Sequence, residues 1–272
     1  MPVPSMVVAF SCEYAGSKVP VRYMGFDMGT GQIRFEGALK DKADLYVNEK
    51  GGKFMPRVDL DGHAQPVFED GAMYLGYAGL HKVDTKTGAV LWGNSFDVTE
   101  GSYKRTNSSP VIAGDIVYSS AKGVVRAFDK NSGTLKWTSS DFGAAIPELV
   151  VRNGIVIARM GGTYLNAGSR EYELKKPLGI VALDAASGQL KWRYDGAKDS
   201  TTNMVYDAPP NTVLSADSRS LVGLKADAAG GAKEAFRVPL EFKAKSSGGK
   251  KAAKMAGKFA LGGVRAMAKK DT

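Results

Sequence analysis

Through most of the chain, short apolar, β-prone runs are followed by a turn cluster and then by a stretch that alternates apolar and polar. Val124–Phe128 and Gly179–Leu183 are such runs, and Thr134-Leu135-Lys136-Trp137 is such an alternation. This order of patterns predicts β-hairpins. Upstream of them a proline leads a shorter apolar run into a second turn: Pro66 before Asp70-Gly71, Pro110 before Gly114-Asp115, and Pro147 before Asn153-Gly154. Each of these turns opens another strand, at Ala72–Tyr77, Ile116–Ser120 and Ile155–Ala158. One unit is therefore four strands in a meander. A further strand is expected over Met6–Ser11.

The hairpin turns repeat one phrase. Phe26-Asp27-Met28-Gly29-Thr30-Gly31 returns as Val83-Asp84-Thr85-Lys86-Thr87-Gly88, Phe128-Asp129-Lys130-Asn131-Ser132-Gly133 and Leu183-Asp184-Ala185-Ala186-Ser187-Gly188. Four residues after the last glycine of each stands an aromatic: Phe35, Trp92, Trp137 or Trp192. All 3 tryptophans of the chain occupy this slot. Copies spaced by 45 to 57 residues indicate a repeat architecture. The turn chemistry explains the phrase. Asp accepts hydrogen bonds from backbone amides ahead of it, Ser or Thr reinforces them, and Gly supplies the positive φ that reverses the chain.

Four-stranded antiparallel sheets repeated at this length are the blades of a β-propeller, an all-β architecture in which each sheet packs radially on the next. The slot aromatic, on the outermost strand, is expected to wedge between neighbouring blades. A decayed fifth copy spans Leu221–Phe236: Lys225 and Ala226 stand where Asp is expected, while Gly230-Gly231 and Phe236 keep the turn and the aromatic. The first unit begins near Met6 without a Pro-led strand. After Leu240 only Val238–Phe242 could close a ring, so about five blade units in an open or incomplete ring are expected, because a closed ring leaves no exposed edge.

The pattern Ala-x-Asp-x-x-Ser/Thr-Gly-x-x-x-Trp, nearly intact at Ala127–Trp137 and Ala182–Trp192, resembles the repeat of the pyrroloquinoline-quinone-like (PQQ-like) β-propellers. The resemblance implies the propeller fold over residues 1–242 and leaves function open. Enzymes of that family hold a quinone on the propeller axis with a vicinal Cys-Cys disulfide, a calcium ion and a catalytic Asp. This chain has 1 cysteine, Cys12, presents no recognisable acid and amide cluster for calcium, and spends its tryptophans on the repeat slot. No cofactor, catalytic residue or metal site is therefore expected. The resemblance points instead to a non-catalytic protein-interaction or ligand-binding scaffold. The alternatives are a fragment of a quinone-dependent dehydrogenase and a propeller tethered to a membrane surface.

Composition and charge narrow these readings. A hydrophobic content of 43% over 272 residues supports a core, and a single cysteine rules out an intrachain disulfide and a multi-thiolate zinc site. The net charge is +9, but Glu241–Thr272 holds nine Lys or Arg against two acids, which leaves the blades nearly neutral. The basicity belongs to the tail, and nucleic acid is not an expected partner. No apolar stretch approaches the roughly 18 residues of a membrane span. Met6–Phe10 is too short for a signal-peptide core and no Lys or Arg precedes it. The family resemblance implies a periplasmic or other extracytoplasmic location, and the residues themselves leave the cytoplasm open.

Three segments are longer than hairpin loops: Lys40–Ala64, Asp97–Ser109 and Gly161–Leu178, the last between the second and third strands of the fourth unit. Long loops on a rigid scaffold concentrate binding residues. The third offers Tyr164, Arg170, Tyr172, Lys175 and Lys176 as a candidate binding loop for a protein partner; a solvated insertion is the simpler reading. Asp59-Leu60-Asp61-Gly62-His63 reads as a turn, lacking the later ligands of a calcium loop. His63 and His81 receive no role.

From Lys250 to Lys270 the composition turns to Ala, Met and Lys, which predicts a basic α-helix within a tail over residues 243–272. Met255, Phe259 and Ala266 fall on one side, with Lys251, Lys254, Lys258, Arg265 and Lys269 opposite. Such a helix packs on the propeller, hangs free, or lies on an anionic membrane surface.

Overall fold

The computed structural model describes residues 6–12, 18–44, 57–59, 65–76, 79–95, 108–121, 123–143, 145–166, 171–207, 211–227 and 231–241. Its strands form five sheets in chain order. The first holds β1 (Met6–Cys12), β2 (Lys18–Asp27) and β3 (Ile33–Asp44). After the short β4 (Arg57–Asp59) comes the second, with β5 (Val67–Glu69), β6 (Ala72–Gly76), β7 (Gly79–Asp84) and β8 (Val90–Ser95). The third is β9 (Val111–Ala113), β10 (Ile116–Ala121), β11 (Val124–Asp129) and β12 (Leu135–Thr138). The fourth contains β13 (Glu148–Arg152), β14 (Ile155–Asn166), β15 (Glu171–Asp184) and β16 (Leu190–Tyr194), and the fifth β17 (Val205–Asp207), β18 (Thr212–Ala216), β19 (Ser220–Lys225) and β20 (Glu234–Pro239). Each is an antiparallel meander, the blade of a propeller.

The core lies between the blades. One apolar cluster joins Tyr23, Phe35 and Leu39 to Met73, Leu75 and Val83, across the first and second blades. The next joins Tyr74 and Leu80 to Val117 and Phe128, and two more bridge the third to the fourth and the fourth to the fifth. Middle strands are covered on both faces: all of β6 is buried, whereas the outermost strand β12 is mostly exposed. A sheet sandwiched between two others can thus carry near-continuous apolar runs, which is why these strands read so plainly.

All five blades share a bulge that the sequence does not announce. The ladder between the last two strands of each sheet slips by one residue just before the turn, at Gly25/Phe26, Lys82/Val83, Ala127/Phe128, Ala182/Leu183 and Gly223/Leu224. The unpaired residue immediately precedes the slot aromatic: Arg34, Leu91, Lys136, Lys191 and Ala235. A bulge re-aims the side chains that follow it. Here it sets the aromatic toward the neighbouring blade, and in three blades it returns a cation to the turn carboxylate. Arg34 pairs with Asp27, Lys136 with Asp129 at 3.5 Å and Lys191 with Asp184 at 3.7 Å.

Several expectations change. The first sheet has three strands, in keeping with its missing Pro-led strand, but the fourth gains β4 as a fifth. Where it is described, Gly161–Leu178 is strand and not loop: β14 runs to Asn166 and β15 from Glu171, because backbone pairing resumes beyond a second irregularity at Met160/Gly162. Within Lys40–Ala64, β3 extends to Asp44, and Asp59 ends β4 instead of opening a turn, with residues 60–64 outside those described. Of Asp97–Ser109, only residues 108 and 109 are described among those after Ser95. The predicted strand at Val238–Phe242 is replaced by β20, which ends at Pro239. The predicted helix at Lys250–Lys270 and the rest of the tail lie outside the described residues, as does Arg170.

Candidate functional site

Two regions hold the residues singled out by sequence. The first is the set of joints between blades. In each of the four turns one carboxylate oxygen accepts backbone N–H groups two and three residues on: Asp27 from Gly29 and Thr30, Asp84 from Lys86 and Thr87, Asp129 from Asn131 and Ser132, and Asp184 from Ala186 and Ser187. Thr87, Ser132 and Ser187 add their hydroxyls at 2.9–3.0 Å. These bonds favour the ionised acid. The Arg34 side chain, then the turn amides, lowers the pKa of Asp27; the Thr87 amide leads the same effect on Asp84 and the Ser187 hydroxyl on Asp184. The Ser132 amide and hydroxyl draw Asp129 down to about 2. Four carboxylates so thoroughly engaged are turn braces and have no protons to trade near neutrality.

The aromatics complete the joint. The indole N–H of Trp92 donates to the Lys130 carbonyl at 3.2 Å, that of Trp137 to Ala185 at 3.0 Å and that of Trp192 to Ala226 at 2.9 Å. Each acceptor belongs to the next blade's turn. The Trp92 and Trp137 rings also cover the turn glycine: a Cβ at Gly133 would lie 2.6 Å from Trp92 Cδ2, and one at Gly188 would strike Trp137. The glycine is therefore required twice, by a φ of +72° at Gly133 and by the ring above it. At the first joint Phe35 is buried and has no N–H to donate; the Tyr23 hydroxyl donates to the Gly88 carbonyl at 2.7 Å instead.

Sequence reasoning missed several joint residues. Tyr118 donates to the Ala185 carbonyl, Asn94 to Gly133, and Lys130 reaches back to Glu69 at 2.9 Å. Between the fourth and fifth blades, buried Arg159 pairs with Glu148 at 2.9 Å and donates to Asn203 Oδ1, while Glu148 accepts the Met204 amide. A lone Arg inside the apolar run Ile155–Met160 was the available signal, since a buried charge demands a partner.

The second region is an arm. Beyond Met160, β14 and β15 pair from Gly162↔Lys175 to Asn166↔Glu171, and β4 adds to the other side of β14 through Tyr164↔Asp59, Leu165↔Val58 and Asn166↔Arg57. The arm is thus a three-stranded ribbon uniting two insertions about a hundred residues apart in the chain. β16 pairs with β15 only over Ile180–Leu183, so among the described residues the outer edge of Glu171–Lys175 has no strand beside it. Of the predicted binding residues, Tyr164 and Tyr172 sit in the ribbon at these register positions and Lys176 is exposed at its base. Lys175 is buried, 6% exposed, and so does not offer its charge to a surface partner. Leu174 is 39% exposed. Among the described residues no group of three or more His, Cys, Asp or Glu could hold a metal ion.

The family described as the outer membrane protein assembly factor BamB matches residues 26–228. No curated protein matches the chain. Among solved structures, BamB from Moraxella catarrhalis is 14% identical over 83% of this chain and 74% of its own, with a TM-score of 0.44. A chain of the mitotic checkpoint complex is 13% identical over 88% of this chain and 67% of its own, with a TM-score of 0.53. A europium-containing methanol dehydrogenase is 12% identical over 85% and 50%, with a TM-score of 0.51. The last two share the fold with this chain.

Proposed function

This chain belongs to the PQQ-like β-propeller family of the outer membrane protein assembly factor BamB, and we propose that it is a non-catalytic scaffold that captures an extended segment of a partner protein along the edge of its arm. The observation carrying this reading is that, among the described residues, no strand pairs with the outer edge of Glu171–Lys175. A strand edge presents a row of backbone donors and acceptors, and an extended peptide completes it as a further strand. Leu174 supplies an apolar contact, while exposed Lys176 supplies a charge that discourages pairing between identical arms and favours a complementary segment.

The joints support the same reading from the other side. The acids and aromatics of the repeat are held by turn amides and neighbouring carbonyls, and in this family catalysis depends on a bound quinone and its own set of ligands. A location outside the cytoplasm accords with the family.

Selection of random extended peptides on the immobilised protein tests the site. Enriched peptides are expected to lose more than about tenfold in affinity when Leu174→Lys is introduced or when residues 163–174 are replaced by a two-residue turn. Peptides that bind equally to the armless protein would remove the site. Calorimetry with pyrroloquinoline quinone and calcium tests the absence of catalysis: saturable binding together with dye reduction in the presence of alcohols would overturn it.

A further inference from the structure

A narrow cleft opens between the fourth and fifth blades, and none of its walls belongs to the arm. Ile180, Val222 and Leu224 form a buried apolar side, and Tyr194, Ala197 and Ala216 are partly exposed around them. Thr201, Ser215 and Asp217 add the polar groups. The segment from Lys198 to Thr202 is laced to the end of β18, which brings these groups together: the Thr202 N–H donates to the Ala216 carbonyl at 2.8 Å, the Ala216 N–H to Thr202 Oγ1 at 2.9 Å and the Lys198 N–H to Asp217 Oδ2 at 3.2 Å. The space left is about that of one water-sized group. Two of the polar groups are incomplete. Thr201 Oγ1 is buried and has no hydrogen-bond partner among the described residues. Asp217 is 7% exposed, and its bonds come only from neutral donors: the Lys198, Arg219 and Ser220 amides and the Ser220 hydroxyl. Burial pushes its pKa up, but the amides outweigh burial and hold the acid below its ordinary value. Among the described residues no Lys, Arg or His forms an ion pair with it. A buried charge calls for a counter-charge, and the low dielectric around it strengthens the pull on a cation.

We propose that this cleft binds a protonated primary amine, its –NH3+ group entering beside Asp217, Thr201 and Ser215 and its aliphatic stem lying along Ile180, Val222 and Leu224. The chemistry of the walls selects this class. A primary ammonium is about the size of a water molecule and carries three N–H donors. Asp217 offers a carboxylate, Thr201 Oγ1 is without a partner, and Ser215 Oγ, which donates to the Thr202 carbonyl at 3.4 Å, keeps its lone pairs for an incoming donor. Apolar walls with a few convergent polar groups are the usual build of a small-ligand site. A quaternary ammonium brings the charge without the donors, and an alcohol brings the stem without the charge, so neither matches the cleft. A free polyamine and the lysine side chain of a partner protein share the required chemistry.

Two-dimensional amide NMR of the full chain, titrated with n-butylammonium chloride at constant ionic strength and neutral pH, reads the site directly. Saturable shifts are expected at the Thr201, Ser215 and Asp217 amides, with a dissociation constant of about 1–10 mM for so small a ligand. Tetramethylammonium and n-butanol are expected to bind at least about tenfold more weakly. Thr201→Val keeps the volume and removes the hydroxyl, and is expected to weaken butylammonium about fivefold or more. Ala197→Leu fills the mouth of the cleft and is expected to abolish the shifts; it becomes the deciding variant if Thr201→Val melts below the wild type. Spermidine and Nα-acetyl-lysine amide separate the two sources: saturable binding of either supports the site, and the tighter one names the source. Shifts that fail to saturate with every amine, tetramethylammonium or butanol binding as tightly as butylammonium, or an Ala197→Leu protein that binds like the wild type would each overturn the proposal.

Discussion

One hairpin holds two different kinds of structure. Below the irregularity at Met160/Gly162, β14 from Ile155 to Met160 is buried at every position, and facing it Leu178–Leu183 of β15 is buried throughout. Above it the same two strands stay paired, but a short strand from a distant insertion pairs with β14, and among the described residues the outer edge of β15 has no strand beside it. The lower half belongs to the repeat and each polar group in its turn is spent on folding. The upper half interrupts the repeat and, under the proposed function, offers its outer edge to a partner. Under the proposed function, folding residues and recognition residues are separated along a single pair of strands.

The comparison breaks most severely at the joints. Trp192→Ala removes a fully buried ring and its bond to Ala226, and is expected to cost about 3–5 kcal/mol in urea denaturation. Trp92→Ala and Trp137→Ala should cost less, because both rings are partly exposed. An equal cost at all three would mean that joint burial does not govern stability.

Glycine substitutions sharpen the contrast between a filled and an empty slot. Gly31→Ala meets only the backbone penalty of its positive φ, about 1 kcal/mol. Gly133→Ala meets that penalty and the Trp92 ring, and is expected to lower the melting temperature at least about twice as far.

Acid separates the turns from the arm. A carboxylate whose pKa is depressed on folding stabilises the protein fully above its ordinary value, and the contribution is lost as pH falls through the folded value. For Asp129 that window runs from pH ~4 down to about 2. Thermal melts should decline across it, and Asp129→Asn should flatten the decline. The smallest effect on stability is expected in the arm, where Leu174→Lys should shift the unfolding free energy by less than about 0.5 kcal/mol while abolishing peptide capture. A large loss of stability there would merge the two regions into one structural unit.

Much of the fold was legible in the residues. Asp27, Asp84, Asp129 and Asp184 announce their turns because the bonds they make are local, reaching two and three residues ahead. The aromatic slot was legible because it recurs at a set distance from those turns. The bulge before each aromatic was not, since a one-residue slip in a ladder leaves no mark in hydropathy. Tyr23, Tyr118 and Arg159 were missed because their partners lie in other blades or across the sheet. The arm was read as a loop because its polar residues carry no alternating apolar pattern, and the strand β4 that joins it lies far off in sequence.

By itself, the amino-acid sequence determined the blade, its turns and its wedge, since these follow from short-range hydrogen bonding and from a burial pattern repeated along the chain. Only the tertiary structure decided that the Trp92 and Trp137 rings cover the turn glycines of the next blades, and that two interruptions of the repeat join into one ribbon. Those outcomes depend on how blades pack and strands pair across long separations, and no local preference encodes them.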